Sequence, residues 1–505
     1  MAKIERTKNM VAGAFWGAIE KISSILLPFV VRTVLIQKLG SEYLGLSSLF
    51  SSILQVLNLT ELGFGSAAVF AMYKPIAEDD YCTTGAILAY LKKIYKLIGI
   101  VTIGLGAAFV PFLRYMISSG IPDDVNIYLL YLVYVLNTAL SYFMFAHKQS
   151  LLAALQLNRI TNKIAFFANT IMRICQIVLL LIIPNYYIYV ALIPIFTVVS
   201  NIVCSIIVDK NYKRWLVYGQ LDKTIQKDIK NRLFPLMSTK LAAVLVNSAD
   251  TLVISAFLGL TQVAIYNNYY YIMNSVSGFL IVIYGAMQAG IGNALVVDPH
   301  EKILSDFGKF NFINNWIVTM CTVCLFCLYQ PFMELWVGKD LMLSMGMVVL
   351  FAIYFYGTTI QRIVVIYKDA AGIWKEDMFR CYLSCVLNLA INILTVQHIG
   401  LYGVIGSSVF VTIFIVPWMV CTLFKHVFRE SAKEFLLLEL RNTGIAVLIC
   451  IATYIVSAKL PVGVGGFILN GVFCLFFSNL ALYVVFHNNL YFKEMIDLFN
   501  KIVKR

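Results

Sequence analysis

Apolar residues in this chain do not alternate with polar ones. They run in blocks of about 20 residues or more, separated by short polar stretches, and that length crosses a bilayer as a helix. Spans are expected near 10–37, 44–73, 85–113, 125–146, 163–183, 186–208, 233–258, 264–297, 310–332, 343–366, 378–398, 402–424, 443–457 and 463–486. A membrane β-barrel would show segments of roughly ten residues with period two, and none are present. The expected fold class is therefore an all-α polytopic membrane protein of about 14 transmembrane helices. Beyond the last span, Phe492, Met495, Ile496, Phe499 and Val503 recur at helical spacing, which predicts an amphipathic helix on the inner membrane face.

Composition agrees with that pattern. The 505 residues are 60% hydrophobic and 13% charged, against roughly 45–50% and 25% for soluble domains. The apolar run after the basic residues 1–9 lacks a small-residue cleavage site and reads as the first span, not a cleaved leader. Eleven cysteines lie almost wholly inside apolar segments. They imply no disulfide framework, and Cys321-x-x-Cys324-x-x-Cys327 reads as packing, not as a metal site.

The net charge of +13 is distributed by topology and does not point to nucleic acid. With the N-terminus inside, only Lys38, Arg114, Lys339 and Lys459 fall outside, so both termini are expected in the cytoplasm. The largest inside loop carries Lys210, Lys213, Arg214, Lys223, Lys227, Lys230 and Arg232 and reads as a topological determinant on anionic headgroups.

The chain also resembles itself. Leu39-Gly40-Ser41-Glu42-Tyr43-Leu44-Gly45-Leu46 aligns with Leu258-Gly259-Leu260-Thr261-Gln262-Val263-Ala264-Ile265, and Lys21 aligns with Lys240. Each stretch joins two long helices outside. Two parallel six-span repeats follow, flanking a central cleft. The expected division is an N-lobe at 1–209, a basic linker at 210–232, a C-lobe at 233–424, two further spans at 425–486 and an amphipathic tail at 487–505.

Once loops and their flanks are assigned, Glu20, Lys21, Arg32, Glu61, Arg173, Lys240 and Asp250 remain inside spans. Each would cost about 2.5–3.5 kcal/mol at the centre of a lipid-exposed helix, so they are expected to face water or one another. Lys21, Arg32, Arg173 and Lys240 are candidate sites for an anion, with arginine suited to a phosphate and lysine a point charge. Asp250, Glu61 and Glu20 are candidate ion-coupling acids. Pro28, Pro194 and Pro417 interrupt spans and are candidate hinges.

The stretches Arg32-Thr33-Val34-Leu35, Leu39 to Leu46, Leu59-Thr60-Glu61-Leu62-Gly63-Phe64-Gly65-Ser66-Ala67 and Tyr73-Lys74-Pro75-Ile76-Ala77 resemble bacterial polysaccharide flippases of the multidrug/oligosaccharidyl-lipid/polysaccharide exporter superfamily. The resemblance implies two six-helix lobes in a V around a central cleft, working by alternating access. Its implied cargo is an undecaprenyl-pyrophosphate-linked oligosaccharide, a repeat unit of O-antigen, capsule or exopolysaccharide, crossing the cytoplasmic membrane. No cofactor is implied, but coupling to H+ or Na+ is. Implied partners are the cargo, the bilayer and the polysaccharide polymerase machinery. The chain holds no GxxxxGK phosphate loop for ATP.

Within transport, a lipid II flippase shares the pyrophosphate chemistry. A cation-coupled drug exporter would favour an acidic, aromatic cavity. A membrane glycosyltransferase or polysaccharide polymerase needs catalytic groups on a sizeable outside loop, and the outside loops here are short.

Overall fold

The computed structural model describes residues 6–58, 64–217, 219, 221–373, 376–461 and 463–503. The chain is an all-α polytopic membrane protein. It divides into two compact units, Met1–Ala264 and Ile265–Arg505.

The first unit contains α1 (Arg6–Lys38), α2 (Ser41–Leu57), α3 (Phe64–Ala77), α4 (Tyr81–Phe109), α5 (Ile127–Phe143), α6 (Ala146–Ala154), α7 (Asn158–Ile182), α8 (Tyr186–Asn211) and α9 (Lys223–Leu258). Helix α10 (Leu260–Val297) begins at its end. The second unit continues with α11 (His300–Val337), α12 (Met345–Ile360), α13 (Arg362–Ala370), α14 (Met378–Ile399), α15 (Leu401–Leu423), α16 (Lys433–Ser457), α17 (Val464–Phe486) and α18 (Leu490–Val503). Over their described residues the expected spans fall largely on helix. Among the described residues nine helices are long and apolar enough to cross a membrane, and ten when the bent pair α5–α6 counts as one.

Helix starts follow from local chemistry. Asp80, Asn126, Asn185 and Asp222 cap α4, α5, α8 and α9 by accepting from backbone N–H groups one turn in. Glycine opens α2 and α10 with matching geometry: φ is 120° at Gly40 and 90° at Gly259, both in the left-handed region open to glycine. These are the two repeat-related turns, and they meet. Thr261 Oγ1 donates to Glu42 Oε1 at 3.1 Å, a pair 219 residues apart.

Three expected spans are not single helices. α2 and α3 are separate, α5 and α6 bend by 51°, and α12 passes into α13 at Gln361. The α5–α6 bend rests on Phe145, which holds φ 65° without being glycine. Lys148 Nζ sits 4.7 Å from the centre of the Phe145 ring and helps hold it there.

In the first unit, one apolar cluster joins Val31, Leu35, Phe50, Leu130, Tyr131 and Leu260, and a second joins Met72, Ile87, Leu151, Val208 and Trp215. In the second unit, Val323 and Cys327 of α11 pack on Ile449 of α16 and on Cys474 and Leu482 of α17. The cysteine expected to serve packing lies in this core. Helix α18 docks on α11: Phe492 stacks on Trp316 with ring centres 5.4 Å apart, and Lys309 pairs with Glu494 at 3.5 Å.

Candidate functional site

Helices α1 and α7 run side by side, and small residues let them approach. Asn162 Nδ2 donates to the Gly13 carbonyl at 3.2 Å, and Ser23 Oγ shares a hydrogen bond of 3.0 Å with Thr170 Oγ1. Trp16 packs on Phe166 and Phe167 at about 6 Å. These contacts fix the level of each residue on the pair. Asn162, Phe166, Thr170 and Arg173 follow the spacing of one helical face, so Arg173 belongs to the face of α7 that packs on α1.

By that register Arg173 lies between the levels of Lys21 and Arg32, roughly 7–9 Å from each along the axis at 1.5 Å per residue. Lys21 and Arg32 lie about three turns apart on one stripe of α1. Lys163, near the start of α7, stands with Nζ 5.3 Å from the Trp16 ring. It falls at the margin of an expected span, where hydropathy does not single it out, and only the packing of α7 on α1 brings it to Trp16. Lys163, Lys21, Arg173 and Arg32 thus form a ladder of cations along a single helix pair.

Their partners separate two kinds of cation on these helices. Lys148 on α6, only 6% exposed, donates to both Asp209 carboxylate oxygens and to Ser205 Oγ, each at 2.7 Å. In the second unit Lys368 on α13 and Arg380 on α14 both bind the fully buried Asp377. Burial works to raise the Asp377 carboxyl, and the hydrogen bonds and charges of Arg380 and Lys368 outweigh it, holding it below the ordinary carboxylate range. These cations are neutralised in place. Hydropathy along the chain does not show the burial that α6 and α13 create.

Lys21 and Arg173 differ. Among the described residues no carboxylate lies within ion-pair distance of either. Arg173 donates from Nη1 to the neutral Gln176 Oε1 at 2.9 Å, and Gln176 in turn donates to the Tyr189 carbonyl at 3.1 Å. Arg173 also lies within electrostatic reach of Tyr134, which is linked through Ser47 to Tyr186. Arg32 and the buried Asp250 of α9 are each engaged with partners. Glu20 is half-buried on α1. Glu61 and the side chain of Lys240 lie outside the described residues. Pro28, Pro194 and Pro417 each lie inside a continuous helix.

Beside the ladder lies a cavity of about 690 Å³ between α7 and α8. It is lined by Phe167, Ile171, Val199 and Val203, with Trp16, Arg159 and Lys163 among its other walls. The cavity is apolar along its length and edged by the cations Arg159 and Lys163.

The family model described as polysaccharide biosynthesis protein matches residues 10–287, which includes the whole ladder. No curated relative matches the chain in sequence. Among solved structures, the lipid II flippase MurJ in its inward closed conformation is 15% identical with a TM-score of 0.65, covering 94% of this chain and 99% of that one. An inward-facing multidrug resistance MATE family transporter of the MOP superfamily is 15% identical, TM-score 0.62, covering 81% and 98%. A MOP superfamily transporter from Pyrococcus furiosus, described as having a binding pocket of reverse polarity, is 14% identical, TM-score 0.56, covering 85% and 99%. These neighbours show the fold, that of MOP-type membrane transporters.

Proposed function

Because the chain belongs to the polysaccharide biosynthesis protein family, we propose that it is a flippase for an undecaprenyl-pyrophosphate-linked oligosaccharide in the bacterial cytoplasmic membrane, with both termini cytoplasmic. One observation carries the proposal: Lys21 and Arg173 hold positive charge inside a membrane helix pair without a carboxylate among the described residues.

A cation so placed keeps its charge at a cost that an anionic ligand offsets. At an effective dielectric near 20, two unit charges 4 Å apart attract by about 4 kcal/mol before desolvation is counted. A pyrophosphate supplies at least two such charges, and the axial spacing of Lys21, Arg173 and Arg32 hands it from one cation to the next. The sugar crosses with the headgroup, and the polyprenyl tail stays in lipid. Lys240 is proposed to supply the equivalent cation from the second repeat. Asp250, Glu61 and Glu20 are the proposed ion-exchanging acids of the first unit, and Pro28, Pro194 and Pro417 the proposed hinges.

The test is cargo accumulation in cells lacking the chain. Undecaprenyl-linked repeat units are expected to build up on the inner leaflet, to clear on complementation with the wild type, and to persist with Lys21→Ala/Arg173→Ala at equal expression. Full clearance by that variant contradicts the assignment. Accumulation of a peptidoglycan precursor instead identifies the cargo as lipid II.

A further inference from the structure

The second unit holds a carboxylate that the expected spans left out. Glu439 lies on α16 inside a helix long and apolar enough to cross the membrane. Its Oε1 accepts from Asn311 Nδ2 at 2.7 Å and from Asn315 Nδ2 at 3.0 Å, both on one face of α11. Among the described residues no lysine or arginine forms an ion pair with it.

With both amide NH2 groups turned to the carboxylate, their oxygens point elsewhere. Asn311 Oδ1, Asn315 Oδ1 and, one turn along α16 from Glu439, Asn442 Oδ1 are buried without a hydrogen-bond donor. The three side chains are 3%, 7% and 8% exposed. Asn315 and Asn442 also line the same small void, together with Thr319, Trp316 and Leu482, of about 10 Å³. A buried acceptor without a donor loses its hydration and gains nothing in return, so three beside an uncompensated carboxylate is an arrangement that calls for positive charge.

From this geometry we infer that α11 and α16 form a binding site for a small monovalent cation, sodium, held by the amide oxygens of Asn315 and Asn442, which line the void, with Asn311 Oδ1 one turn along α11 and Glu439 as counter-charge. The void is at the lower limit for a water molecule, which needs about 10–15 Å³, and a bare ion is smaller. A water donates to two of the oxygens and leaves the carboxylate charge in place. A divalent ion is disfavoured, because calcium takes 6–8 oxygens and magnesium a near-ideal octahedron, usually with several waters. The site stands on its own geometry and makes no use of the cargo.

The test uses the purified full-length chain in detergent, with thermal unfolding and radioactive sodium binding measured in sodium chloride and in choline chloride at equal ionic strength. Sodium is expected to raise Tm by roughly 2–4 °C. Glu439→Gln and Asn442→Ala are each expected to weaken sodium binding at least about 10-fold, while Lys21→Ala keeps it. Asn442→Ala retains the carboxylate, so a folding defect in Glu439→Gln leaves the test intact. A wild type without a sodium-specific shift overturns the site, as does a shift that survives both variants. A Tm that responds to pH and not to sodium overturns it too, by assigning a proton there. Loss of transport in Lys21→Ala with sodium binding intact separates the cargo reading from this one.

Discussion

At the residue scale, the decisive contrast is between cations with a carboxylate and cations without one. Asp377 ties Lys368 and Arg380 together at the start of α14, outside the span itself. Replacing it by Asn takes the carboxylate from the largely buried Arg380 and leaves Lys368 only Asp369 at 3.8 Å, and the expected loss of stability is about 3–5 kcal/mol, read as a lower Tm. The pH dependence has a definite sign. The folded-state pKa of Asp377 is lowered, so its contribution is fully present above the unfolded value near 3.9 and fades as pH falls through the folded one. The Tm gap between wild type and Asp377→Asn is therefore expected to stay constant from neutral pH down to about 5 and to narrow below about 4. A gap that widens toward acid contradicts this. The sequence made Lys21, Arg32 and Arg173 visible, since each interrupts a long apolar run. It hid Lys148, Lys368 and Glu439, because each lies within a turn or two of a polar stretch, and hydropathy cannot tell a solvated flank from one covered by a neighbouring helix.

At the element scale, hydropathy located the long apolar helices but not the breaks in them. Nothing in Phe143-Met144-Phe145-Ala146 marks a bend: there is no proline or glycine, and the left-handed Phe145 is held by tertiary contact instead. The turns between repeats were more legible, because glycine has a specific task there. Gly45, one turn into α2, faces the backbone of Leu260, and a Cβ added there would lie 2.1 Å from the Leu260 carbonyl oxygen. That oxygen belongs to the backbone that opens α10, so it cannot swing aside as a side chain would. Gly45→Ala is expected to cost about 1–3 kcal/mol or more, measurable as a fall in Tm. Thr261→Val, which loses only the 3.1 Å bond to Glu42, is expected to cost about 1 kcal/mol. Equal stability of Gly45→Ala and wild type would show that the two turns do not pack as described.

At the scale of the whole molecule, a family match across residues 10–287 and a fold shared with membrane transporters over 94% of the chain describe a multi-pass membrane protein of the polysaccharide biosynthesis family. The proposed cargo rests on the ladder of α1 and α7. The most direct measurement is the rate at which purified chain in proteoliposomes flips a fluorescent polyprenyl-pyrophosphate-linked sugar, with Tm recorded alongside. Each charged hydrogen bond lost is worth about 1.5–3 kcal/mol. Lys21→Ala/Arg173→Ala is therefore expected to slow flipping at least about 10-fold while the chain stays folded, with Tm lowered only by the lost Arg173–Gln176 bond, and Lys21→Arg to retain most of the rate. Wild-type flipping by the double alanine variant would contradict the account.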